Sequence, residues 1–166
     1  MKKIILMMII ALMSIVSIAS EKQSIIKYEK TYSEEIGDTI VKPIKQDNHT
    51  PYISKSLECD RYSTDDVSNY YLCVDLYYLG DIITDDVQID LSNNKIYNIQ
   101  GIKINNIKGK YYSVVIPINN EIINEIQNNN ITKLNIGNKN EKYITEEDNQ
   151  YLKENLRSYC IHNKNY

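Results

Sequence analysis

The chain has no tryptophan and no phenylalanine. Tyrosine is the only aromatic, with 15 copies, so every ring that enters a core brings a hydroxyl that needs water or a partner. Histidine is nearly absent, with only His49 and His162. A zinc site takes three or four nitrogen or sulfur ligands, and a nucleophile needs a positioned base, so both chemistries are poorly supplied. Cys160 lies two residues before His162, and side chains two apart on a helix do not face each other. The five glycines stand isolated at positions 37, 80, 101, 109 and 137, which leaves no glycine-rich phosphate loop. No cluster of basic residues occurs and the formal charge is −3, which argues against nucleic acid as the main partner. Nothing in the pattern calls for a cofactor.

What is present begins with a leader. Residues 1–19 read as two lysines, an apolar run from Ile4, and small residues at Ser17 and Ala19. That is the three-part pattern of a secretory signal peptide cut after Ala19 or Ser20. The run is short for a membrane span, which takes about 20 residues. No second run of that kind follows, so no membrane span is expected once the leader is gone. The expected location is therefore outside the cytoplasm, in a periplasm or secreted. Asn, Ile and Lys are abundant, which fits AT-rich coding and, with the leader, a bacterial source.

The rest divides in two. In residues 20–54 charges of both signs alternate closely, and Pro43 and Pro51 interrupt the later half. This reads as a flexible or loosely docked N-terminal arm, with Thr39 to Val41 as one short strand. Residues 55–162 read as a single α+β domain. Its clearest element is Tyr70 to Leu79. Tyr70, Leu72, Val74, Leu76 and Tyr78 fall on one uncharged face at period two. Tyr71, Cys73, Asp75, Tyr77 and Leu79 fall on a mixed face. Alternation also marks Asp86 to Leu91, Lys95 to Ile104 with a bend at Gly101, and Lys110 to Ile118, which Pro117 places at an edge or a strand end. Ser92 to Asn94 is a turn. Ile131 to Ile136 and Glu141 to Ile144 read as a small hairpin. One helix begins near Asn120. A second begins at Thr145 to Asp148, with Leu152, Leu156 and Tyr159 on a stripe. The expected fold is an antiparallel β-meander of about five to seven strands with two short helices of the C-terminal half packed on one face.

Three cysteines in an exported chain allow one bridge and leave one over. If Tyr62 opposes Tyr70, Cys59 opposes Cys73, close enough for a disulfide worth about 3 kcal/mol for a loop of this length. A one-residue slip separates those thiols, and Cys160 then competes for either.

Clustered acids offer further chemistry. Asp65, Asp66, Asp81, Asp85 and Asp86 fall in the loops flanking the central strand, at opposite ends of it, and so cannot share one calcium ion. Glu58, Asp60 and Asp75 fall on neighbouring strands, but no long loop walls a cleft around them. The mixed face is the remaining feature. Tyr71, Tyr77 and Tyr111 offer rigid amphipathic contact area for a protein or glycan partner. The sequence thus points to a small exported binding module rather than an enzyme. Two other readings stand beside it, a small exported hydrolase using Asp or Glu and a proteinaceous inhibitor of an extracytoplasmic enzyme. The pattern does not fix the oligomeric state.

Overall fold

Period-two alternation produces most of the chain's architecture. The computed structural model describes residues 26–34, 36–44, 50–57, 69–77, 86–108, 111–137 and 140–162. Along them run β1 (Tyr28–Ser33), β2 (Asp38–Pro43), β3 (Tyr52–Ser56), β4 (Tyr70–Tyr77), β5 (Asp86–Leu91), β6 (Ile96–Gln100), β7 (Lys103–Lys108) and β8 (Tyr111–Ile118). The helix α1 (Asn120–Asn128), the strands β9 (Ile131–Ile136) and β10 (Asn140–Tyr143), and the helix α2 (Glu146–His162) complete the order. The class is α+β, with every strand pair antiparallel. Among the described residues no helix is long and apolar enough to cross a membrane. The leader, residues 1–19, lies outside the described residues.

The strands form two sheets rather than one. Six strands run in the order β1-β2-β3-β4-β8-β7, and four in the order β10-β9-β5-β6. Gly101 is the reason at one corner. Its φ of 76° breaks the alternation expected over 95–104 into β6 in one sheet and β7 in the other. At the opposite side Lys142 Nζ, from β10, donates to the Asp75 carbonyl of β4 at 2.9 Å and links the sheets again. Pro117 is the penultimate residue of β8, beyond the Lys103–Val115 pair where the β7 ladder begins, so its missing N–H costs nothing.

The segment expected as a loose arm is part of the larger sheet. Residues 28–43 form the β1–β2 hairpin, paired from Tyr28–Pro43 to Ser33–Asp38. Gly37, at φ 76°, makes the turn, and its N–H donates to the Ser33 carbonyl at 2.7 Å. The dense charges suggested disorder, but they sit on the exposed positions of an edge strand, Glu29 and Lys30, where charge is tolerated and deters edge-to-edge pairing.

The core lies between the inner faces of the two sheets and the apolar stripes of the helices. Leu72, Val74 and Leu76 of β4 are buried, as the alternation implied, with Val114, Ile116 and Ile118 of β8. Val87, Ile89, Leu134 and Ile136 face them from the smaller sheet, and Ile122, Ile126, Leu152 and Leu156 enter from α1 and α2. Asn119, one residue before the expected Asn120, caps α1: its Oδ1 accepts from Ile122 N–H at 3.0 Å. At the start of α2 Thr145 and Asp148 make the reciprocal capping box.

The expected Cys59–Cys73 opposition is corrected by the register. Tyr52 pairs with Cys73, Ile53 with Leu72 and Ser54 with Tyr71. Cys73 is a buried thiol, 2% exposed, 3.5 Å from Ser54 Oγ. Cys59 lies outside the described residues, as does the side chain of Cys160. The physical reason is the long connection between β3 and β4. A connection of that length does not by itself fix a register, and the inward face of β3 favours this one. Ile53 is fully buried in the core, and this register puts it opposite Leu72.

Polar side chains of α2 hold the β1–β3 side of the sheet in place. The β2–β3 ladder has two pairs, Ile40–Ser56 and Val41–Lys55. Extending it places Pro43, which has no N–H, opposite Ile53. Asn155 Oδ1 accepts from Ile53 N–H at 2.7 Å instead, and Tyr159 OH lies 2.8 Å from the Ile53 carbonyl and 2.7 Å from that of Val41. Asn155 Nδ2 also donates to Tyr28 OH at 3.0 Å, and the Tyr28 and Tyr159 rings meet at 5.1 Å. Six residues earlier Asn149 binds both backbone groups of Ile131, at 2.7 and 2.9 Å. The helix thus completes two strands whose neighbours stop short.

Candidate functional site

The mixed face of β4 is the floor of a hollow. A cavity of about 350 Å³ is lined by Thr31 and Ser33 of β1, Ile40 and Lys42 of β2, Tyr52 of β3, Cys73 of β4, and Ser113 and Val115 of β8. In a flat sheet β1 and β8, four positions apart in strand order, stand about 19 Å from each other. One cavity of this size touches both, so the six-stranded sheet curls until its first strands overhang the fourth and fifth. Glu34 and Ile36, in the β1–β2 turn, close one side.

Register explains why these residues share a face. Cys73 pairs with Tyr52 on one side and with Val115 on the other, and Asp75 pairs with Ser113. Ile40 pairs with Thr31. β2 and β8 therefore contribute alternate residues to the hollow, Ile40 with Lys42 and Ser113 with Val115, while β1 contributes three in a row, Thr31, the largely exposed Tyr32 and Ser33. The chemistry of the lining is mostly hydroxyl, from Thr31, Ser33, Tyr52 and Ser113, with a thiol at the floor. Charge is balanced locally. Lys42 pairs with Glu29 at 3.4 Å. Nearby, the buried Asp38 carboxylate accepts from Ser56 Oγ and from the Thr39 N–H. These bonds satisfy it where an unpaired buried charge would be costly.

The three tyrosines named from the sequence are only partly brought together. Tyr77 and Tyr111 are directly opposed, with ring centroids 5.0 Å apart and planes at 66°. Both are exposed, at 64% and 39%, at one end of the hollow. Tyr71 lies on the same face but six residues along β4, about 20 Å from Tyr77, and is half-buried between Ser54 and Pro117. The acids are not brought together. Asp75 is on the mixed face and Asp86 on the smaller sheet, while Glu58, Asp60, Asp65, Asp66, Asp81 and Asp85 lie outside the described residues. His49 also lies outside them, as does the His162 side chain. Among the described residues no three His, Cys, Asp or Glu side chains group to hold a metal.

Sequence reasoning missed Thr31, Ser33, Lys42, Tyr52 and Ser113. Four of these lie in the segment read as an arm. One signal was available there, since Gly37 stands immediately before the β-branched run Thr39 to Val41. Ser113 was legible as a strand residue, but nothing local tells that β8 lies beside β4.

Compared with known proteins, the chain matches no family model, no curated protein and no solved structure.

Proposed function

We propose that this is a small exported binding module that holds its ligand in the hollow of the six-stranded sheet. The observation that carries the reading is the cavity itself. It has the size of a small-ligand site, near the lower end of the usual range, and hydrogen-bonding side chains from four strands converge in it. The opposed pair Tyr77 and Tyr111 extends the same face toward solvent and supplies aromatic contact area for a protein or glycan partner.

Export rests on the leader. The mature chain is expected to begin at Ser20 or Glu21, and intact mass of protein from the extracytoplasmic fraction checks this. A species that keeps residues 1–19 and partitions with membranes defeats the export reading.

Binding is tested by filling the hollow. Ser113→Trp places a large ring in the cavity on a half-buried position of β8. Immobilised wild-type protein is expected to retain a component of the extracellular glycan and protein fractions, and Ser113→Trp to lose that retention while keeping its far-UV circular dichroism. Equal retention by both proteins places binding elsewhere.

A further inference from the structure

We propose that the ligand of the hollow is a neutral oligosaccharide chain lying along β8, one ring against Tyr111 and Tyr77 and the next in the cavity; this rests on the binding reading above. The first argument is linear order. Tyr111, Ser113 and Val115 succeed each other on one face of β8, about 6.8 Å per step. An exposed aromatic pair thus leads directly to a hydroxyl-lined cavity. A sugar chain presents the same sequence of surfaces, an apolar C–H face on each ring and a rim of hydroxyls.

The second argument is the hydrogen-bond inventory. Thr31, Ser33, Tyr52 and Ser113 carry hydroxyls, each with more than one donor or acceptor position, so a sugar hydroxyl can join bonds such as those that Thr31 Oγ1 donates to the Tyr32 carbonyl and Ser33 Oγ accepts from the Ile36 N–H. The Tyr77 ring meets Tyr111 edge to face and is 64% exposed, which gives the pair aromatic surface on the solvent side.

The third argument is charge. The cavity holds one cation, Lys42, and one anion, Glu34, and Lys42 is already paired with Glu29 at 3.4 Å. A lining with no excess of either sign selects a neutral ligand over an acidic one.

The fourth argument is against an extended peptide. Such a ligand gains affinity by adding a strand to a sheet edge. The floor of the hollow is the interior of the sheet. β4 is paired on both sides at Cys73, and β8 is paired on both sides from Ser113 to Val115. Their backbone groups at these floor positions are engaged in ladders.

The test uses the mature protein on an array of neutral and sialylated oligosaccharides, with affinities of the bound glycans measured by calorimetry. Binding to neutral glycans of two or more rings is expected, stronger than to the corresponding monosaccharide. Tyr111→Ala is expected to weaken binding roughly tenfold through loss of the ring contact. Ser113→Trp is expected to abolish it. Tyr143→Ala removes an exposed tyrosine from β10, away from the hollow, and is expected to change nothing. No neutral glycan bound, or preference for sialylated ones, overturns the saccharide assignment. If Ser113→Trp still loses retention of a proteinaceous component from the extracellular fraction, the hollow remains the site and only the ligand class is wrong. If glycans bind equally to Tyr111→Ala and Ser113→Trp, the site itself is wrong.

Discussion

Leu72→Ala is expected to destabilise the protein by about 2–5 kcal/mol, the usual cost of truncating a fully buried leucine. Leu72 is 0% exposed at the centre of β4, between Ile53 on β3 and Ile116 on β8. All three side chains enter the core that both sheets and both helices share. Little can collapse into the space, because sheet positions on either side are fixed by ladders. Tyr71→Ala, one residue away on the opposite face, is expected to cost much less. Tyr71 is half-buried, and its face opens on the hollow. Urea denaturation of both variants, with midpoints compared at unchanged slope, decides the matter. Equal losses would show that the second face of β4 is as buried as the first, and the hollow would not be accessible to a ligand.

The other large effect belongs to the contacts that α2 makes with β3. Asn155 is 0% exposed and accepts from the Ile53 N–H, which no neighbouring strand reaches. Asn155→Leu is expected to lower stability by about 2–3 kcal/mol, since a buried donor loses its acceptor. Tyr159→Phe, which removes the hydroxyl set between the Val41 and Ile53 carbonyls, is expected to cost about 1–2 kcal/mol. Tyr159 and its neighbour Tyr28 also give the protein an alkaline limit. Burial raises the pKa of Tyr28 above its ordinary 10.0, against smaller opposing effects of the Ser158 and Asn155 hydrogen bonds. Burial, with the neighbouring Tyr28 adding to it, raises that of Tyr159 far further. Both folded pKa values exceed the unfolded value, so the unfolded state loses these protons first. The stabilisation is complete below about pH 10 and falls as pH rises beyond it. Denaturation midpoints measured across that range are expected to drop steeply for the wild type and less steeply for Tyr159→Phe. Identical slopes would mean that Tyr159 ionises in the folded protein as readily as in the unfolded one.

Local pattern carried much of this fold. Alternation alone identifies β4, β5 and β8 and assigns Leu72, Val74 and Leu76 to the core, because a strand sends successive side chains to opposite faces whatever lies beside it. The turn at Ser92 to Asn94 was legible for a similar reason, since Asn94 takes the φ of 65° that asparagine tolerates. The helix starts were readable to within a residue, from caps that act within one turn.

Neighbours across the sheet were not readable. Cys73 was expected opposite Cys59 and stands opposite Tyr52, in a register that puts the buried Ile53 opposite Leu72. The β1–β2 hairpin looked like a charged arm, since its charges are visible locally and the burial of Ile40, Ser33 and Asp38 is not. Asn149 and Asn155 drew no reading from the sequence, because their use arises only where strands end short of a partner. The hollow is the plainest case. Tyr77 and Tyr111 are 34 residues apart in sequence, and Thr31 is further still from Ser113. Period two told which residues could share a face. Only the strand order and the curl of the six-stranded sheet, which long-range packing sets, decided that they surround one space.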